Sequence, residues 1–261
     1  MLVVVLVLIS FYNYYENYSL QNQVEKIYNE VKEMKNYTAP VQVLIPDEKN
    51  YDKFLIVQKS IPIVAVSSNG DGVMGNLTVK LIPGNNNVLI NTNPFLETDI
   101  QYSVNKAVAV AKMKTNYKYD KDFIFDFRAG NAQLIGGGSA GAAETIATIA
   151  AIENKNIKKD AVITGTINLD GTIGRVGGII EKAKAVGEAG YKYFLVPGGQ
   201  SKVTYYEREV TEEPLGFGIN ILNTRYVPKT IDLKKVAKEQ WGLNVVEVSN
   251  IDQALKYFIE D

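Results

Sequence analysis

From residue 136 to residue 152 the chain reads Gly-Gly-Gly-Ser-Ala-Gly and then Ala-Ala-Glu-Thr-Ile-Ala-Thr-Ile-Ala-Ala-Ile. Glycines this dense mark a turn at which other atoms come close to the backbone, and the small-residue run behind them reads as a helix to about Ile152. Gly136, Gly138 and Gly141 also satisfy G-x-G-x-x-G, the turn that holds a dinucleotide pyrophosphate. Such a turn should be answered about 20 residues on by an acidic residue closing the next strand. Asp160 instead precedes the strand it would have to close, so the glycines alone argue weakly for a nucleotide.

The other reading concerns Ser139. At a helix amino terminus its hydroxyl sits at the positive end of the dipole, where the backbone N–H groups of Gly138, Ser139 and Ala140 can hold an oxyanion. Serine also caps helices without doing chemistry, so a nucleophile has to be matched with a base. The chain contains no histidine and no cysteine. That excludes a Ser-His-Asp triad, a thiolate nucleophile and metal sites built on either residue, and no cofactor or metal is expected.

A lysine base has to be neutral, which requires desolvation to bring its pKa down from about 10.4. On the helix that opens at Gly177-Gly178, Glu181, Lys184 and Glu188 fall on one wet face at ~100° per residue. Lys182 lies instead on the flank of the apolar stripe of Ile179, Ile180, Ala183 and Val186. Lys182 is therefore the buried candidate and Lys184 the solvated one.

With 28 basic and 29 acidic side chains the net charge is −1, which lacks the positive surplus of a general nucleic-acid binder. The chain opens on the apolar run of residues 1–9 followed by Phe11, Tyr12, Tyr14, Tyr15 and Tyr18, as at a membrane boundary. About twelve residues span only ~18 Å of a ~30 Å hydrocarbon core. The run reads as an uncleaved anchor over 1–15, with a buried amino-terminal strand as the other reading. Leu20, Val24, Ile27, Val31 and Met34 make a two-heptad seam in a helical stalk over 16–38. Sequons at Asn17, Asn36 and Asn76 lean towards an extracytoplasmic domain held at a membrane.

Residues 39–60 read as connecting strands, and the main domain is expected over 61–261. In it, 61–66 and 76–83 are strands around an Asn-Gly-Asp-Gly turn, and Thr98 or Asp99 caps a helix ending in Lys112 and Lys114. Further strands are read at 123–127, 161–168, 193–197 and 244–248, and helices near 232–239 and 251–259, with 198–231 irregular. The mixture is α+β.

Residues 136–197 resemble the proteolytic domain of Lon proteases. The resemblance is carried by Ser139-Ala140-Gly141 after a glycine turn, the Ala161-x-x-Thr164-Gly165 strand, the Gly177-Gly178-x-x-x-Lys182 helix and the apolar strand ending at Pro197. It extends more loosely back to Ile61 and on to the last helix, leaving out an insert at about 199–240. The resemblance implies a Lon-like α+β fold of mixed sheets and packed helices. It also implies a serine peptidase in which Ser139 is the nucleophile, Lys182 the general base 43 residues on, and Thr164 the hydroxyl orienting it. Protein or peptide substrates and a ring of six copies follow from it as well. Two positions depart from the family pattern: Gly136 stands where an acidic residue is common, and so does Thr166.

No G-x-x-x-x-G-K-[ST] occurs in this chain, so no nucleotide site is expected in it, and cleavage is expected to be ATP-independent or to depend on a separate ATPase. The alternative is a non-catalytic, membrane-tethered scaffold of the same fold.

Overall fold

The computed structural model describes residues 56–260 except Asn131, Gln133, Phe217 and Gly218, together with residues 21, 22, 24–26 and 29. The chain divides into two units, Met1–Tyr51 and Asp52–Asp261. In the first unit those six residues are helical. The anchor expected over 1–15, the stalk seam apart from Val24, and the connecting strands up to residue 55 lie outside the described residues. Among the described residues no helix is long and apolar enough to cross a membrane.

In the second unit, period-two alternation builds the first sheet. β1 (Val57–Val66) and β2 (Gly72–Pro83) form an antiparallel hairpin, so the first strand already runs four residues before Ile61. Short strands β3 (Val88–Ile90) and β4 (Phe95–Leu96) lead to helix α1 (Thr98–Lys114). β5 (Lys121–Arg128) then pairs antiparallel with β2 and parallel with β3, giving the order β1-β2-β5-β3. Leu77, Val79 and Leu81 stand opposite Phe127, Phe125 and Phe123, and all six are buried. The cap of α1 is Glu97, not Thr98 or Asp99; Asp99 sits inside the first turn, where its carboxylate accepts from the Ile100 N–H at 2.8 Å.

β6 (Leu134–Ile135) pairs with β4, and a 3₁₀ turn over Gly138–Ala140 leads into α2 (Gly141–Ile152). Every residue of α2 from Gly141 to Ala151 is buried. A helix covered all round belongs in the middle of a domain, and α2 packs on α1 as well as on β1 and β2.

β7 (Ala161–Ile163), β8 (Thr166–Ile167), β9 (Ile173–Gly174), α3 (Ile179–Glu188) and β10 (Tyr193–Pro197) follow. The long strand expected over 161–168 is broken at Thr164-Gly165: the Thr164 N–H still donates to the Leu195 carbonyl of β10, but the Gly165 N–H turns away to the Ser139 carbonyl. After β10 come β11 (Lys202–Gly216), β12 (Ile219–Asp232), α4 (Leu233–Trp241), β13 (Asn244–Val248) and α5 (Ile251–Phe258). β13, β10 and β7 form a parallel sheet. One face, with Ala161, Ile163 and Leu195, joins the core of α1 and α2; the other, with Val162, Phe194 and Val196, packs with residues of α3 and α4. Burial on both faces suits a parallel sheet and its continuous apolar strands. The architecture is α+β, as expected.

The segment read as irregular, 198–231, is instead mostly the antiparallel ribbon β11–β12. One face of it is a charge ladder: Arg225 reaches Glu209 at 2.8 Å, and Lys229 stands 3.8 Å from Glu207. The other carries the exposed Tyr206, Val210, Leu222 and Tyr226.

Candidate active site

Ser139 stands in the turn Gly138–Ala140, half-buried, directly before the dry helix α2. The turn closes with a bond from the Gly141 N–H to the Gly138 carbonyl, and the N–H groups of Gly138 and Ser139 precede its i→i+3 ladder. The turn is stitched to the broken strand. Gly165 N–H donates to the Ser139 carbonyl at 2.8 Å, and Ala142 N–H donates to the Gly165 carbonyl at 3.0 Å. A Cβ on Gly141 would stand 2.8 Å from the Ile167 nitrogen and 2.9 Å from Ser103 Oγ, so only glycine allows this seating.

Lys182 reaches the turn from the first part of α3. That helix opens at Gly178 in the left-handed conformation, φ +65°, and a Cβ there would stand 2.5 Å from Val66 Cγ2. Lys182 is 4% exposed, whereas the side chain of Lys184 is 59% exposed and lies 3.9 Å from Glu188. The division of the two lysines read from the helical wheel is the one observed. Lys182 Nζ lies 3.0 Å from Ser139 Oγ and 3.2 Å from Thr164 Oγ1. Burial pulls the Lys182 pKa down to about 8, against a smaller opposing pull from the Glu181 carboxylate. On the order of a tenth of the amine is therefore neutral at pH 7, and a neutral amine at this distance can accept the serine proton.

Thr164 is 1% exposed and follows β7. Its hydroxyl donates to the Ser139 carbonyl at 3.3 Å, which leaves its lone pairs for a Lys182 N–H. Ser139, Thr164 and Lys182, from three separate segments of the chain, thus meet in one cluster. Among the described residues no group of His, Cys, Asp or Glu could hold a metal.

The cluster opens into a cleft of about 600 Å³ whose lining includes Val66, Gly137, Thr166, Arg175, Val176 and Glu181. At Gly136, one of the positions lacking the common acidic residue, the carboxylate of Glu97 fills the space where a side chain would begin.

Glu144 was not singled out in the sequence. It lies one turn into α2, is 0% exposed, and accepts from Ser103 Oγ of α1 at 2.7 Å, while its Oε1 has no partner among the described residues. Burial first, and the Asp99 carboxylate in lesser measure, push its pKa up to about 8 against the Ser103 bond. It is therefore largely protonated at neutral pH. The only available signal was a lone carboxylate in an otherwise small and apolar helix.

The family model for the Lon protease (S16) C-terminal proteolytic domain matches residues 76–212, just over half of the chain. The Lon protease of Phenylobacterium zucineum is 38% identical over 77 residues, covering 30% of this chain and 9% of that protein. The Lon protease of Buchnera aphidicola is 31% identical over 124 residues, covering 48% and 12%. The archaeal Lon protease of Methanocaldococcus jannaschii is 27% identical over 183 residues, covering 62% and 27%. This chain thus spans about a quarter or less of the length of these relatives. The matched residues contain the glycine turn, the broken strand and the helix that delivers Lys182, and the chain belongs to the family of the Lon protease proteolytic domain.

Proposed function

We propose that this chain is a serine endopeptidase working through a Ser139–Lys182 dyad. The reading is carried by one observation: the amine of a buried lysine, Lys182 Nζ, 3.0 Å from a half-buried serine hydroxyl at the mouth of a cleft. Neutral Lys182 takes the Ser139 proton as Oγ attacks the peptide carbonyl. The N–H groups of Gly138, Ser139 and Ala140 hold the tetrahedral oxyanion, and Lys182 returns the proton to the leaving amine. Water, deprotonated by the same amine, then attacks the acyl group on Ser139; its proton goes back to Oγ as the acid departs. Thr164 is a positioning residue that keeps the amine on line. A scaffold has no use for an amine desolvated against a serine.

The substrates proposed are unfolded or flexible protein segments, since an open cleft of this size admits an extended chain and not a folded domain. No P-loop occurs in this chain, and the cleavage step proposed needs no nucleotide. Assembly into a ring is proposed on the family relation. A membrane tether through residues 1–15, with the catalytic domain extracytoplasmic, rests on the apolar run and the sequons alone.

The test is cleavage of casein or a fluorogenic peptide by the full chain, with and without ATP, beside Ser139→Ala. Labelling with a serine-reactive phosphonate should track the activity. Cleavage or labelling that persists in Ser139→Ala would overturn the assignment.

A further inference from the structure

The cleft holds two ionic side chains besides Lys182: Arg175 and Glu181. Among the described residues neither makes an ion pair or a hydrogen bond. Glu181 already exerts its field on Lys182. With Lys182 neutral, Arg175 and Glu181 are the two charged groups lining the cleft, and Arg175 is the one able to receive an anion.

Its backbone is unusually well held for an exposed residue. On one side Gly174 pairs with Thr166 in the β9–β8 ladder. On the other, the buried Gln200 grips Val176 twice: the Val176 N–H donates to Gln200 Oε1 at 3.0 Å, and Gln200 Nε2 donates to the Val176 carbonyl at 2.8 Å. The guanidinium lies beside the backbone of Gly199, where a Cβ would be 3.7 Å from Nη1. That position is φ +74°, which favours glycine and keeps a side chain away from the guanidinium. A fork of five donors, fixed at its root and unpaired at its tip among the described residues, lining the same cleft as Ser139, suits a carboxylate.

We propose that Arg175 selects peptides with an acidic side chain, Asp or Glu, close to the bond presented to Ser139. This rests on the peptidase reading, and deepens it by naming the substrate class. Gln200 is the positioning residue, acting through the backbone of Val176.

Two measurements on the full chain test it. The first is the equilibrium affinity of Ser139→Ala for fluorescent peptides that differ only in one residue, Glu, Ala or Lys, at successive positions along the peptide. The second is kcat/KM of the parent chain on the same set. At one position the Glu peptide should bind and be cut about tenfold better than the Ala peptide, with Lys poorest, chiefly through KM. Arg175→Glu should invert the ranking and Arg175→Lys should weaken it. Gln200→Leu should lessen the ranking while phosphonate labelling of Ser139 continues. Cleavage without any charge ranking, or a ranking unmoved in Arg175→Glu, would overturn this inference and leave the dyad standing. A charge ranking in binding without cleavage by the parent would retain Arg175 and sink the dyad.

Discussion

Helix α2 and the ribbon β11–β12 are opposite solutions to holding a segment in place. The eleven residues from Gly141 to Ala151 are all buried, so their positions are fixed by contacts from α1, β1 and β2. Among the described residues the ribbon meets the core only at its base, where Val203 packs against it and α4 touches both strands; the rest is held by its own ladder and cross-strand pairs, with large apolar side chains, Tyr226 at 66%, facing outward. The serine turn is fused to the first kind of segment. Geometry that must be accurate to tenths of an ångström needs a support whose side chains cannot shift independently. A change in α2 should therefore reach the chemistry, whereas a change in the ribbon should stay local.

The contrast can be broken at four levels. Lys182→Ala should lower kcat/KM on a fluorogenic peptide on the order of 10⁴-fold, while Lys184→Ala stays within about twofold; equal losses would refute the division of the two lysines. Phe125→Ala, in the sheet under α2, should cost about 3–5 kcal/mol by denaturant unfolding, against about 0.5 kcal/mol or less for Tyr226→Ala. Similar costs would mean that the ribbon is covered in solution.

Glu144→Gln supplies a test by pH. The Glu144 pKa is raised from 4.5 to about 8, so between those values the folded chain keeps a proton that the unfolded chain has lost. Stability should then fall as pH rises through this window, by up to ~1.4 kcal/mol per unit, and the Gln variant should lose that slope. An unchanged slope would place the pH dependence elsewhere. Smallest of all, Arg225→Ala should cost under ~1 kcal/mol, because its partner Glu209 is half-exposed and the pair is solvated.

Much of this was readable before any coordinates, wherever one period or one helical face decided the outcome. The inward Phe123, Phe125 and Phe127 alternate cleanly, and Lys182 and Lys184 separate on a wheel because α3 has one apolar stripe. Three features were not readable, each for its own reason. The ribbon carries polar and apolar residues on exposed faces, and Pro214 and Pro228 argue against strands; its Tyr, Thr and Val content was the one cue. The break at Thr164-Gly165 lies inside a continuous β-forming run and is imposed by the distant Ser139 carbonyl. Nothing near Glu144 in the sequence points to its partner, because Ser103 lies 41 positions earlier.

The dryness around Lys182 has a kinetic consequence under the peptidase reading. A peptide that fills the cleft excludes solvent from the side on which Lys182 faces it, so docking itself disfavours the protonated state. Occupied enzyme should be armed at lower pH than empty enzyme: the acid limb of kcat should lie below that of kcat/KM, which itself should fall near 8. Coincident limbs would mean that the amine is as dry before the substrate arrives as after. Substrate would then be the trigger as well as the target, keeping an unoccupied protease comparatively quiet.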